Sequence, residues 1–266
     1  MTDLHLLPHR GVRLGFAPTR AAAADGAQRA AARTAYHRDL VRPFGLELAR
    51  DTATLEHSGP SYGAMGRALL AAAVPPDEPV DLLVLAYAVP DLEPGRATAT
   101  YLSHVCPGRP LAFAISDQGT AAAFTGLRLI NEYARSGDIR RGVLLVVEQP
   151  TLPYDPGVPV TLPAGHSGVA LVLDTRDAGP ALQLTSVSVE PGVAAADLES
   201  PATTHPDETA VLLGAGFSPA ETRPYTGAWW RLVGLLSTEG MPERVLLADV
   251  EPVSRSLCLA EFRART

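Results

Sequence analysis

The sequence predicts an α/β protein built from two similar halves, and three observations carry that prediction. One unit is written twice, about 102 positions apart. Phe124-Thr125-Gly126 leads through an apolar helix to Ser136-Gly137 and a strand that closes at Glu148 before Pro150; Tyr225-Thr226-Gly227 leads likewise to Glu239-Gly240 and a strand that closes at Glu251-Pro252. Each copy reads as a buried helix with a glycine at its C-cap, a short turn, and a β-branched and leucine-rich strand stopped by a Glu and a Pro. The second observation is the helix over Gly119 to Arg135. Its Ala121, Ala122, Ala123, Phe124, Leu127, Leu129, Ile130 and Tyr133 leave almost no polar face in the first three turns. Such a helix belongs in the middle of a molecule, with sheet on more than one side. The third is the alternation of helical and strand patterns along the whole chain.

Taken in order, Pro18 to Leu40 is rich in Ala and Arg and reads as helix despite Gly26, and Ser61 to Ala73 forms a second helix stopped by Pro75-Pro76. Val80 to Val89 is a buried strand, followed by a loop from Pro90 to Arg96. Ala97 to Val105 is a short helix, Leu111 to Ser116 a strand, and then comes the apolar helix. Gln149 to Gly165 carries Pro150, Pro153, Pro156, Pro159 and Pro163, so no regular element is expected there. Val169 to Asp174 and Leu182 to Val189 are strands, and Thr203 to Gly216 has no determined state. Tyr225 to Leu236 is the second buried helix, and Val245 to Val250 pairs with Ser256 to Phe262.

A chain of 266 residues with 46% hydrophobic content buries a substantial core, so a single compact domain over 1–266 is expected, with halves 1–175 and 180–266. The second half is less than half as long as the stretch before it. A net charge of −7 and no cluster of Lys or Arg among aromatics argue against nucleic acid as a ligand. The apolar runs fall far short of the roughly 20 residues of a membrane helix, and no signal segment follows Met1, so a cytoplasmic protein is expected. Cys106 and Cys258 are too few and too scattered for a disulfide framework or a zinc site and read as structural.

The segments Val80-Asp-Leu-Leu-Val-Leu-Ala-Tyr-Ala-Val-Pro-Asp91, Leu111-Ala-Phe-Ala-Ile-Ser116, the helix to Ser136-Gly137, Val143 to Glu148, Gly165 to Asp174 and Arg244 to Phe262 resemble, in that order, the thiolase-fold condensing enzymes and within them the ketoacyl synthase III branch. The resemblance implies a five-layered α/β/α/β/α fold of two duplicated halves around two buried helices, here with the second half shortened. It also implies a cysteine nucleophile at the amino end of the first buried helix, where N–H groups and the helix dipole favour a thiolate and bind the oxyanion. That place reads Ser116-Asp117-Gln118-Gly119-Thr120, so the vacant position is Gly119 or Thr120, depending on whether the count runs from the strand or from Ser136-Gly137. A threonine hydroxyl is a nucleophile only when a base activates it.

The resemblance further implies a histidine and an asparagine in the second half. His205, followed by Pro206, is the only histidine there, and reads as an exposed loop residue; the asparagine would fall near Tyr225. Other sets carry less. His166 reads as structural, Gly214-Ala-Gly216 lacks the Gly and Lys of a phosphate loop, Trp229 and Trp230 read as packing residues, and nothing orders His104, Ser116 and Asp117 as a hydrolase set.

The pattern resembles the shortened, cysteine-free subunit of heterodimeric alkylquinolone-forming ketosynthases. The expectation is a non-catalytic subunit that dimerises with an active ketoacyl synthase III-like enzyme, as a heterodimer or heterotetramer, in secondary-metabolite biosynthesis. Acyl carrier protein or acyl-CoA would engage through that partner, and no cofactor or metal is expected. The resemblance puts Leu111, Phe113 and Ile115 on a strand that pairs across the dimer axis, and Leu92, Glu93 and Pro94 in the partner's acyl tunnel. The alternative is a stand-alone acyltransferase or hydrolase with a non-cysteine nucleophile, Thr120 or another group, acting on an acyl thioester; Thr120 and His205 are the weak catalytic candidates. A third is a structural homodimer that scaffolds a carrier protein.

Overall fold

The computed structural model describes residues 3–18, 26–48, 59–91, 97–157, 160–176, 181–193, 209–218, 220–238 and 240–265. Within them run strands β1 (His5–Leu6), β2 (Val12–Phe16), β3 (Leu82–Ala86), β4 (Leu111–Ile115), β5 (Arg141–Glu148), β6 (His166–Asp174), β7 (Ala181–Glu190), β8 (Thr209–Leu213), β9 (Arg244–Glu251) and β10 (Ser256–Arg265). The helices are α1 (Gly26–Val41), α2 (Tyr62–Ala73), α3 (Thr98–Val105), α4 (Ala121–Ser136) and α5 (Gly227–Leu236).

The strands follow the order β4-β3-β5-β6-β1-β7-β10-β9-β8, with β2 beside β6. In the first half β3 is parallel to β4 and β5, and β5 is antiparallel to β6. In the second, β8 is parallel to β9, and β9 and β7 are antiparallel to β10. The two-residue β1 joins the halves by pairing with both β6 and β7.

Side-chain alternation builds the layers. Leu82, Val84 and Ala86 of β3, and Leu144 and Val146 of β5, face α4, which β7, β9 and β10 of the second half also meet, while α5 packs on β6, β8 and β9; Leu182, Leu184, Val245, Leu247, Cys258, Ala260 and Phe262 belong to the same core. Leu83, Leu85, Val143, Leu145 and Val147 face the other way, onto Met65, Leu69 and Leu70 of α2 and Leu102 of α3. A sheet covered on both faces has to be apolar at every position, which is why β3, β5 and β6 are continuous hydrophobic runs. Phe124 and Trp229, from the two central helices, meet at 4.9 Å between ring centroids. The predicted burial of α4 between sheet layers is what the structure has.

The halves differ in content. Between β3 and β5 the first half holds α3, β4 and α4, whereas between β8 and β9 the second holds only α5. The helix-strand pair α3–β4 has no counterpart there among the described residues.

Element boundaries mostly follow the sequence pattern, and the exceptions have causes. Ser61 caps α2 by accepting the Ala64 N–H at 3.2 Å, and Pro75 forces the preceding Val74 into extended backbone. Helix α1 is described only from Gly26, the preceding 19–25 lying outside the described residues. Two strands, β1 and β2, and β8 inside Thr203 to Gly216, were not expected; each is at most five residues and is held by its sheet neighbour more than by its own pattern. The C-cap of α4 is Gly137 at φ 83°, as predicted, but α5 ends at Ser237 and Gly240, at φ 84°, turns the chain later. The matched tripeptides are not equivalent either. Thr226 is the N-cap of α5, whereas Thr125 lies inside α4, whose N-cap is Thr120.

Candidate functional site

The amino ends of the two central helices are where the duplicated strands β5 and β9 deliver their last residues. At α4, the chain leaves β4 through Ser116, turns in the left-handed region at Asp117 (φ 61°) and Gly119 (φ 53°), and starts the helix at Thr120. The Thr120 N–H donates to Glu251 Oε2 at 2.7 Å, and its hydroxyl donates to Asp249 Oδ2 at 2.6 Å. The next two amides are also taken: Ala121 N–H by the Gln118 carbonyl at 3.0 Å and Ala122 N–H by that of Gly119 at 3.3 Å. Thr120 is only 4% exposed.

The two carboxylates are held from the second half. Asp249 Oδ1 accepts N–H groups from Gly216 at 2.9 Å and Val250 at 2.8 Å, and a Cβ on Gly214 would collide with its carboxylate. Glu251 Oε1 accepts the Val253 N–H at 3.1 Å. Burial pushes the Asp249 carboxyl up; the Thr120 hydroxyl and the two N–H groups pull it down, and the Glu251 charge adds to the rise. A side chain at Gly119 has no room, because its Cβ would lie 1.7 Å from Glu251 Oε2.

The end of α5 is closed in the same manner by the first half. Glu148, fully buried, accepts Tyr225 N–H at 3.0 Å and Thr226 N–H at 3.1 Å on Oε2, and the hydroxyls of Ser167 at 2.5 Å and Thr226 at 2.7 Å on Oε1. Burial raises its carboxyl, against those four hydrogen bonds. Each half thus sends a glutamate from the end of its last parallel strand, β5 or β9, to the helix of the other half, where the dipole favours a negative group.

The residues singled out in the sequence fall as follows. Thr120 and Gly119 sit at the closed end of α4. His205 and Leu92, Glu93 and Pro94 lie outside the described residues. Leu111 is 56% exposed on β4, a terminal strand of the sheet; Phe113 is partly buried against the core, and Ile115 is buried. Tyr225 gives its N–H to Glu148 and its hydroxyl to the Thr161 carbonyl at 2.7 Å. The ring of His166 stands over Gly59, and burial lowers its pKa. His104 is exposed on α3 and bonds to neither Ser116 nor Asp117, which bond to each other at 3.1 Å. Trp229 is wholly buried, while Trp230 lies under Arg223, whose guanidinium carbon is 4.4 Å from the ring centroid.

The thiols are poor nucleophiles. Burial pushes Cys106 up to about 11, and burial with the charges of Asp249 and Glu251 pushes Cys258 up to about 12. No group of three His, Cys, Asp or Glu able to hold a metal ion occurs among the described residues. No described helix is long and apolar enough to cross a membrane.

Asp249, Glu251 and Glu148 were not singled out as site residues by the sequence reading. The signal was present, because both copies of the repeat close their strand on a glutamate.

Solved structures with a similar fold include proteins described as condensing enzymes and an acyltransferase. The chain is similar to ChlB3, described as an acyltransferase, with 14% identity over 99% of this chain and 98% of that one and a TM-score of 0.64. It is similar to AbyA1, a tetronic acid condensing enzyme, with 19% identity over 99% and 100% and a TM-score of 0.59. It is also similar to the 3-oxoacyl-(acyl carrier protein) synthase III, FabH, of Pseudomonas aeruginosa PAO1, with 14% identity over 99% and 100% and a TM-score of 0.60. The chain has the thiolase fold. No protein-family model matches the sequence, and no curated protein does. In the thiolase fold of this chain, the helix end that the sequence resemblance assigns to the nucleophile is the one that Asp249 and Glu251 occupy.

Proposed function

We propose that this chain is a non-catalytic ketosynthase-like subunit that pairs with an active ketoacyl synthase III-like enzyme in secondary-metabolite biosynthesis. The observation that supports this reading is the engagement of Thr120 by Glu251 and Asp249. Acyl transfer needs free N–H donors where the oxyanion develops, and one such donor is worth about 3–4 kcal/mol to the transition state. Here the amides of Thr120, Ala121 and Ala122 are all taken. An oxyanion about 4 Å from a carboxylate is repelled by about 4 kcal/mol at an effective dielectric of about 20. The two effects act in the same direction, against acyl chemistry at this helix end.

The role of partner is supported by β4. It ends the sheet, and Leu111 and Ala114 on it are exposed. A terminal apolar strand is an aggregation hazard unless another strand covers it. In this reading the strand of the active subunit does so, and Leu111→Lys with Ala114→Lys, both at exposed positions of β4, abolishes the pairing. Acyl carrier protein or acyl-CoA delivers its chain to the active subunit.

One observation favours the alternative of a stand-alone acyltransferase or hydrolase: a hydroxyl, that of Thr120, bonded to a carboxyl of raised pKa, that of Asp249. Intact-mass measurement of the isolated protein after incubation with acyl thioesters separates the two. The proposed role predicts an unmodified mass. An acyl adduct that disappears in Thr120→Ala would overturn it.

A further inference from the structure

We propose that the outer face of the second half-sheet carries a binding site for a phosphate monoester. Three strands place Arg263, Arg244 and Thr209 in one transverse row, with Arg263 directly opposite Arg244 and Arg244 opposite Thr209. All three point away from the core, since Phe262, Val245 and Ala210 beside them pack inward. A cavity of ≈ 270 Å³ opens over this row, lined by Arg244, Arg263, Thr209, Thr185 and Glu261 among others.

Like charges directly opposite each other across a strand pair destabilise a sheet. The guanidiniums of Arg244 and Arg263 nonetheless have no hydrogen-bond or ion-pair partner among the described residues, and the Thr209 hydroxyl is buried without one. Two guanidinium forks and a hydroxyl lining one cavity offer donors enough for three oxygens of a tetrahedral anion, more than a planar carboxylate presents. The cavity of ≈ 270 Å³ leaves room beside a phosphate for the organic part of an ester. Glu261 lies on the same face, two residues from Arg263, and offers its carboxylate to a hydroxyl or N–H on the organic part. Thr185 is already committed, its hydroxyl donating to the Glu261 carbonyl at 3.1 Å. Arg244 opens β9 and Glu251 closes it, so this site is about 23 Å along the strand from the α4 end.

Thermal melting of the full chain, titrated at low chloride with glycerol 3-phosphate, inorganic phosphate and glycerol, tests the assignment. Expected is a saturable rise with both phosphates, tighter for the ester, and none with glycerol. Arg244→Gln and Arg263→Gln keep most of the stem, melt no lower than the wild type without phosphate because the repulsion is gone, and bind roughly tenfold or more weakly. Arg140→Gln, at an exposed arginine next to β5, leaves binding unchanged. Equal responses in wild type and Arg244→Gln, or a rise that follows ionic strength alone, would overturn the site; equal affinity for ester and inorganic phosphate would overturn the ester.

Discussion

The two halves of this molecule close each other's central helix, but they do so with different thoroughness. The first half sends Glu148 to α5, wholly buried and accepting four hydrogen bonds. The second sends Glu251 and Asp249 to α4, where Glu251 takes one helix N–H and one turn N–H and retains 6% exposure. The sheets differ likewise. Strand β5 is buried at every residue, whereas β10 exposes Glu261 and Arg263 on the face that the first half covers with α2 and α3. A complete half buries its polar closure as structure, and the shorter half leaves its closure beside the exposed turn at Asp117 and Gln118.

The comparison breaks most readily at Glu148. Glu148→Ala leaves two buried N–H groups and two hydroxyls without their acceptor, an expected loss of about 3–4 kcal/mol in urea unfolding. A loss below about 1 kcal/mol would mean that α5 does not depend on this carboxylate. Next in size, Gly119→Ala places a side chain in the left-handed region and against Glu251, and costs about 2–3 kcal/mol. Glu251→Ala in the same chain recovers part of that, and a double-mutant cycle measures how much. Alone, Glu251→Ala costs about 1–2 kcal/mol, less than Glu148→Ala, because fewer donors lose their partner.

The smallest effect sharpens the comparison through pH. Burial raises the folded-state pKa of both Asp249 and Glu148 above ordinary carboxyl values. The stability each contributes is therefore fully present below the ordinary range of about 4 and is lost as pH rises through the raised folded pKa. Asp249→Asn flattens that decline, with the Thr120 hydroxyl turning to accept from the new amide. Asp174 runs the other way: burial raises it, but Arg176 and Arg141 hold it below its usual value, so its contribution is present above about 4 and fails as pH falls further. In unfolding measured from pH 4 to 8, the wild type should lose stability relative to Asp249→Asn as pH rises from about 4 and run parallel to it again above the raised folded pKa; curves parallel throughout would contradict the assignment.

The fold was legible where residues repeat a local pattern. Strands β5 and β9 each close on a glutamate, and the apolar run from Ala121 announced a helix between sheets. What escaped was set by distant partners. Thr120 meets Glu251 across 131 positions, and no spacing rule connects them. Strand β2, with Gly15 in its midst, exists because β6 offers an edge. The shortening of the second half could be counted, but only the topology identifies the missing piece as a helix-strand pair before α5. The false equivalence of Thr125 and Thr226 came from matching side chains without the helix starts that give them their roles.

With the end of α4 closed by Asp249 and Glu251, this chain is proposed to act through a partner. Native mass spectrometry of the tagged protein, purified gently from its producing cells, tests it most directly. A one-to-one complex with a cysteine-bearing ketosynthase in which this chain is unmodified is expected; a homodimer carrying an acyl group on Thr120 would contradict the partner role.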